Sequence, residues 1–187
     1  MPLHSLLVLL AFTTCGLVLL VMAFLLKRDN HGLLGNPSIE KFYFYSGKIA
    51  IFTCWALFIV KALLPKHGYI QVPEFLSWIA TGILWAGTII FSFAVVDLGQ
   101  SLKVGLPDQH TKLKTSGIYR FSRNPIYVAV ILIAIGSCLY FPDLINISFA
   151  AYGIFIHHKI IMAEELFLKG RFGKEYEYYC HHVRRYI

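Results

Sequence analysis

Hydrophobic positions fall in five blocks separated by short polar segments. Leu3 to Leu26 is apolar almost throughout and stops at Lys27-Arg28-Asp29. At about 1.5 Å per residue such a run crosses the hydrocarbon layer of a bilayer. No Lys or Arg precedes it and no A-x-A pattern lies before Lys27, so it reads as a retained span rather than a cleaved leader. A loop follows over residues 30–48, with Phe42, Tyr43, Phe44 and Tyr45 in it, the residue types that settle at a headgroup boundary. Gly47 to Leu64 is a second span, with Lys61 placed to snorkel near its end. A short loop runs through Pro65, Lys66, His67, Gly68 and Pro73.

Phe75 to Val96 is the third span, ended by Asp97-Leu98-Gly99. Residues 100–125 form a long basic loop. Ile126 to Phe141 is a short fourth span, Pro142-Asp143 a tight turn, and Leu144 to Met162 a fifth span, so the last two form a helical hairpin. Residues 164–187 are polar and aromatic and are expected to form helical pieces on the membrane surface. The pattern predicts an all-α integral membrane protein of about five transmembrane helices. It is one membrane domain over 1–187, with three N-terminal spans in 1–98 and a core in 99–187.

Composition agrees with this class. Of 187 residues, 57% are hydrophobic and 14% charged, with a mean hydropathy of +0.64. Soluble domains carry roughly 25% charged residues. The net charge of +7 does not point to nucleic acid, because the basic residues sit in the segments between spans. Those segments hold four Lys and Arg in 27–48, two in 61–74, five in 99–125, none in 142–143 and six from 157 onward. Five spans put fifteen of the seventeen on one side, which the positive-inside rule makes cytoplasmic. The N-terminus is then expected outside, and the C-terminus inside. Cys15, Cys54 and Cys138 lie in apolar runs, Cys180 lies near the C-terminus, and all four read as small buried hydrophobes.

Two polar knots interrupt the apolar pattern. Leu113 to Pro125, LKTSGIYRFSRNP, ends in Asn124-Pro125, a strong helix-start signal: Asn accepts from free backbone N–H groups and Pro suits the first helical position. A helix N-terminus attracts anions. Arg123 adds a fork of donors beside it, Tyr119 and Tyr127 add aromatic faces and hydroxyls, and Ser116-Gly117 permits close backbone approach. Such a site suits a carboxylate and a flat ring. The second knot is Glu164-Glu165 at the end of the fifth apolar run, a costly pair unless it meets water or a cation. Beside a basic loop it suits a ligand with positive charge and hydroxyls. His157 and His158 precede Glu164 and Glu165 by seven residues each, so each pair shares a helix face. With His110, His181 and His182 they show no H-x-x-H, H-x-x-x-H or H-E-x-x-H spacing, and no metal site is expected; they read as interfacial histidines. Asp97 reads as a helix-end residue.

Together the knots form a longer pattern: T-x-G-[IVP]-Y, R-[HN]-P-x-Y, a hydrophobic hairpin, E-E-x-x-L-x-x-x-F-G-x-x-Y-x-x-Y and a closing V-x-R. It is carried by Thr115, Gly117, Ile118, Tyr119, Arg123, Asn124, Pro125, Tyr127, Glu164, Glu165, Leu168, Phe172, Gly173, Tyr176, Tyr179, Val183 and Arg185. Residues 97–187 thereby resemble the isoprenylcysteine carboxyl methyltransferases and their phospholipid N-methyltransferase relatives, most of all the bacterial members. The resemblance implies a membrane-embedded methyltransferase using S-adenosyl-L-methionine from the cytoplasm and a hydrophobic or lipid-linked acceptor from the bilayer, in a plasma or inner membrane if bacterial. It implies a cofactor site formed by the 99–125 loop, the helical hairpin and the C-terminal segment. Thr115, Ser116, Gly117, Ile118, Tyr119, Asn124, Pro125, Tyr127, Glu164 and Glu165 would line the site, and Arg123 and Glu165 would be the catalytic candidates.

Many members of the family have His where this chain has Asn124. Asn does not titrate near neutral pH, so this position is not expected to act as a general base. A carboxylate acceptor needs none; an amine acceptor must lose a proton, with Glu165 or a nearby histidine as candidates. Carboxyl O-methylation is the first reading. Lipid amine N-methylation, a nicotinamide-dependent membrane reductase and a non-catalytic protein that docks a partner on the same helix ends are the alternatives.

Overall fold

The computed structural model describes residues 1–28, 33–65, 70–106 and 111–187. The expectations placed on Asp29, Lys66, His67, Gly68 and His110 lie outside the described residues. Among the described residues six α-helices follow in order: α1 (Leu3–Arg28), α2 (Lys41–Leu63), α3 (Glu74–Leu98), α4 (Pro125–Tyr140), α5 (Leu144–Phe172) and α6 (Lys174–His182). Short 3-10 turns occupy Gly99–Ser101 and Gly117–Arg120. Among the described residues extended pairing is limited to two isolated bridges, Leu34 with Val104 and Asn36 with Leu106. The fold is all-α, as the apolar blocks predict.

Four helices (α1, α2, α3 and α5) are long and apolar enough to cross a membrane. α4 has 16 residues, about 24 Å of helix, which is short of a hydrocarbon layer of roughly 30 Å. Large apolar side chains such as Leu10, Leu20, Phe24, Ile79 and Phe93 are exposed on the outside of the bundle, where a bilayer rather than water is the compatible solvent.

Two boundaries differ from expectation. α2 begins at Lys41, six residues before the predicted start, and takes in the aromatic segment read as loop. Phe42, Tyr43 and Tyr45 face outward and Phe44 is buried, so the segment is an amphipathic first turn and not a connector. α5 runs past Met162 to Phe172, so Glu164 and Glu165 lie inside a helix and not beyond its end. The break comes at Gly173, whose φ of +52° suits glycine and turns the chain into α6. Lys61 is 4% exposed and its ammonium donates to Ile70 O at 2.9 Å, so it closes the end of α2 on a backbone carbonyl.

Small residues let the helices approach. A Cβ at Gly87 of α3 would meet Ile133 and the Ala129 carbonyl of α4, and one at Gly136 of α4 would crowd the Ala80 carbonyl of α3. The α2–α5 contact repeats the device, with Gly47 against Ile156 and Gly153 against Ile51. The α4–α5 turn is tied by polar groups where apolar surroundings make unpaired ones costly. Asn146, fully buried, donates to Phe141 O at 2.9 Å and to Ser137 Oγ at 3.0 Å, and Ser137 Oγ donates to Cys54 O at 2.9 Å. Asp143 caps α5 by accepting from Ile145 N at 2.9 Å.

The α2–α5 clearance gives a direct test. A Cβ at Gly153 would lie 2.7 Å from Ile51 Cδ1. Gly153→Val is expected to destabilise the protein by about 1–3 kcal/mol through overpacking. Unfolding curves in mild detergent check this, and an unchanged midpoint would mean the two helices are not this close.

Candidate functional site

The site is assembled where three segments converge: the loop before α4, the last turns of α5, and the C-terminal tail. Asp97, in the last turn of α3, begins the assembly by accepting from Ile118 N at 2.7 Å. Gly117 has a φ of +64° and sits against this carboxylate so closely that a Cβ would collide with it. The close approach foreseen at Ser116-Gly117 is therefore to Asp97. Tyr119 is then buried, its hydroxyl donating to Ala94 O at 3.4 Å while its carbonyl accepts from the Tyr179 hydroxyl of α6. Burial pushes both phenols above their ordinary values and keeps them neutral; nearby Tyr179, Asp97 and Glu164 add to the effect at Tyr119, whereas the Arg123 charge opposes it at Tyr179. The loop is also pinned to residues 33–36, with Val104 N donating to Leu33 O at 2.8 Å and Leu106 N to Asn36 O at 2.7 Å.

Glu165 is the hub. Arg123 reaches it with Nε to Oε1 and Nη2 to Oε2, both at 3.2 Å, as a forked pair. Arg185 donates from Nε to Oε2 at 3.0 Å, and Asn124 Nδ2 donates to Oε1 at 2.9 Å. The side chains of Glu165 and Arg123 are only 10% and 11% exposed. Arg123 spends its third nitrogen on the tail, donating to Val183 O at 2.7 Å and Cys180 O at 3.4 Å. Its backbone N–H donates to Arg184 O at 3.0 Å, and Ser122 Oγ and Asn124 Nδ2 both donate to Arg185 O at 3.3 Å. Hydrogen bonding to Glu165 holds the Arg185 guanidinium above its ordinary value.

Asn124 stands at the N-cap position of α4 with Pro125 behind it, but its side chain makes no capping bond. The expected cap is corrected: the amide donates to a buried carboxylate, a stronger partner than a backbone N–H, and Ser122 Oγ accepts from Asn124 N at 3.1 Å.

Glu164 points elsewhere. One residue along the helix is about 100° around its axis, so adjacent acids diverge. Tyr127 donates its hydroxyl to both Glu164 oxygens, at 3.0 and 2.9 Å, and among the described residues no other group hydrogen-bonds that carboxylate. Glu164 lines a cavity of about 320 Å³ together with Tyr119, Arg123, Asn124, Pro125 and Tyr127. Thr115, Ser116, Gly117, Ile118 and Glu165 are not on its wall. Thr115, Ser116 and Gly117 are exposed on the outer side of the loop. Elsewhere the wall is largely apolar, with Ile51, Phe91, Val95 and Val130.

The seven-residue spacing of His157 and Glu164 is realised as a shared face, since both line the cavity. His157 is not interfacial as expected: it is 4% exposed, its Nδ1 lies 2.7 Å from Gly153 O, and its ring meets Tyr127 edge-on at 5.8 Å. His158 turns to the tail, 2.6 Å from the Tyr186 hydroxyl, and His181 and His182 are exposed. No group of three or more metal-ligating side chains gathers among the described residues. Three contributors were missed as site residues: Arg185, whose signal was the closing V-x-R; Asp97, read only as a helix end; and Lys48 of α2, which lines the cavity and carried no signal beyond its charge.

The cavity's chemistry suits S-adenosylmethionine in kind. Glu164 offers an acceptor for an ammonium or ribose hydroxyls, and the start of α4 (Pro125, Ile126, Tyr127) opens on the same space for a carboxylate. Tyr119, Tyr127, Tyr176 and Tyr179 give aromatic walls.

The family model described as phospholipid methyltransferase matches residues 76–175. A protein of Oryza sativa subsp. indica named "Probable protein-S-isoprenylcysteine O-methyltransferase" is 33% identical over 114 residues, 58% of this chain and 59% of that protein. Its namesake from Oryza sativa subsp. japonica matches equally, at 33% over 114 residues. The match thus spans about three fifths of these relatives' length, 59%. The family segment begins inside α3, about twenty residues before the motif-based start at 97, so the third span belongs to the matched region.

The hub predicts a specific failure. Arg123→Ala would leave Glu165 with less compensation and release the carbonyls of the tail. Breaking a buried pair costs about 3–5 kcal/mol. The variant is expected to unfold at lower temperature in detergent and to be cut by trypsin after Arg184 and Arg185 before the wild type is. Equal stability and equal cleavage would mean that the tail is not held by this residue.

Proposed function

We propose that this chain, which belongs to the phospholipid methyltransferase family, is a membrane-embedded methyltransferase that uses S-adenosylmethionine and a hydrophobic or lipid-linked acceptor, with carboxyl O-methylation of the isoprenylcysteine type as its reaction. One observation carries the reading: a single cavity joins Glu164 and the N-terminus of α4 to a wall of bilayer-spanning helices. A water-borne cofactor and an apolar acceptor can meet only at such a junction. The rice relatives' names favour a carboxyl acceptor over an amine.

In this reading Glu164, steadied by Tyr127, receives the cationic or hydroxyl groups of the cofactor, and the start of α4 receives its carboxylate. When bound, the cofactor supplies an electrophilic methyl on sulfur, which an acceptor carboxylate oxygen takes as the S–CH3 bond breaks, with no proton to move. The chain's contribution is then alignment and the exclusion of water. We assign Arg123, Asn124 and Glu165 a positioning role: they bond chiefly to one another and to the tail, and they fix the α4 start against α5. Glu165 is taken up by Arg123, Asn124 and Arg185 and is not on the cavity wall, so an amine acceptor would depend on Glu164 or His157. If five helices span, fifteen of the seventeen basic residues fall on one side, and the positive-inside rule then supports a cytoplasmic site with the N-terminus outside. We treat 1–187 as one domain in which 1–98 shapes the acceptor side and 99–187 the cofactor side.

Calorimetry with purified protein tests this. Wild type is expected to bind S-adenosylmethionine and its demethylated product, and Glu164→Gln to weaken both by about tenfold, the scale of a charge-assisted bond. Folded protein that binds neither would sink the proposal. With labelled cofactor and membrane extract, base-labile label would identify an ester; base-stable label would identify an amine instead.

A further inference from the structure

Lys48 lies on α2, outside the segment that matches the family. It sits seven residues into the helix, roughly 10 Å along its axis. It lines the cavity together with Ile51, Phe52 and Trp55. Those positions are i, i+3, i+4 and i+7, a single helix face. α2 therefore gives the cavity a stripe with an ammonium at one end and aliphatic and aromatic groups along the rest.

That ammonium is under-used. It lies 4.4 Å from the Phe44 ring centroid and within electrostatic reach of Glu164. Among the described residues it makes no hydrogen bond and no ion pair. Arg123, which also lines the cavity, is committed to Glu165 and two tail carbonyls, and Lys103, Lys112 and Lys114 line it from the loop before α4, off the apolar stripe of α2. Glu164 is the opposite charge nearest Lys48 but makes no ion pair with it, so a cation held among apolar helices is only partly compensated and an arriving anion is drawn to it.

Two carboxylates would enter this cavity, one on the cofactor and one on the acceptor. The stripe distinguishes them, because the apolar positions that continue from Lys48 fit a hydrocarbon chain, and only the acceptor carries one. We propose that Lys48 holds the anionic head of the acceptor while Ile51, Phe52 and Trp55 bear its chain, so that α2 selects an anionic amphiphile over an amine lipid. The proposal rests on the methyltransferase reading for what happens next, but the recognition step stands by itself.

Binding separates the two. The full-length protein in phosphatidylcholine nanodiscs is titrated with N-acetyl-S-farnesylcysteine and with its methyl ester, followed by tryptophan quenching against empty nanodiscs. Wild type is expected to bind the acid about tenfold tighter than the ester, Lys48→Met to abolish that difference, and Lys48→Arg to retain it. Lys48→Met keeps the apolar stem, and its affinity for S-adenosylmethionine is expected to change far less than its affinity for the acid. Wild type that binds acid and ester alike would overturn the proposal. So would a Lys48→Met variant that loses cofactor affinity instead, since the ammonium would then belong to the cofactor's carboxylate. Intact acid selection without any methyl transfer would support Lys48 as the anion site and count against the proposed reaction.

Discussion

Everything at the site depends on one buried carboxylate. Glu165 is taken out of water on the long helix α5, and two guanidiniums and a carboxamide neutralise and satisfy it. A buried ion pair is a poor source of net stability, because desolvation offsets most of the attraction. Its value lies in direction. The forked Arg123 pair tolerates little rotation, and the partners of Glu165 come from two separate segments: Arg123 and Asn124 from the loop, Arg185 from the tail. Satisfying one charge thereby fixes the start of α4, the last turns of α5 and the chain terminus in a single geometry. The carbonyls of Cys180 and Val183 take up the remaining Arg123 donors, so the excess positive charge is met by dipoles of the tail.

The neighbouring acid is free because this one is not. Consecutive positions on a helix point about 100° apart, so Glu165 turned towards the tail leaves Glu164 turned into the cavity. One Tyr127 hydroxyl reaching both Glu164 oxygens holds that carboxylate still without consuming it. The short α4 contributes to the same end. Its 16 residues are tied at the turn by Asn146 and Ser137, and at the other end Pro125, Ile126 and Tyr127 line the cavity. A longer helix would carry that start away from Glu164.

Apolar runs made five helices legible between residues 3 and 172, of which α1, α2, α3 and α5 are long enough to cross a bilayer and α4 is not. The misread positions share a cause: a local signal was overridden by a partner far along the chain. Phe42 to Tyr45 looked like a headgroup-level connector, but Phe44 found a buried place and carried the segment into α2. Asn124-Pro125 looked like a capped start, and Pro125 is at that start, but an ionised carboxylate outcompeted the backbone N–H groups for the Asn124 amide. Gly117 looked like room for a ligand and is room for Asp97. No local pattern marks Lys48, since a lysine near a span end serves topology as readily as chemistry. Which wall it faces is decided by the packing of Gly47 against Ile156 one residue earlier.

That packing bears on how the chain divides its labour. Arg123 and Asn124 on the loop and Arg185 on the tail answer to Glu165 of α5. The apolar wall is drawn more widely, from α2 and α3 as well as α4. A helix such as α2 meets α5 through glycines and small contacts that constrain its distance but leave its cavity-facing residues unconstrained by the hub. Among the described residues Lys48, Phe52 and Trp55 make no hydrogen bond or ion pair with Glu165 or its partners, whereas Ile51 is held by its packing against Gly153 of α5. A fold built this way keeps the charged scaffold constant and changes its apolar partner by substitution along one helical stripe.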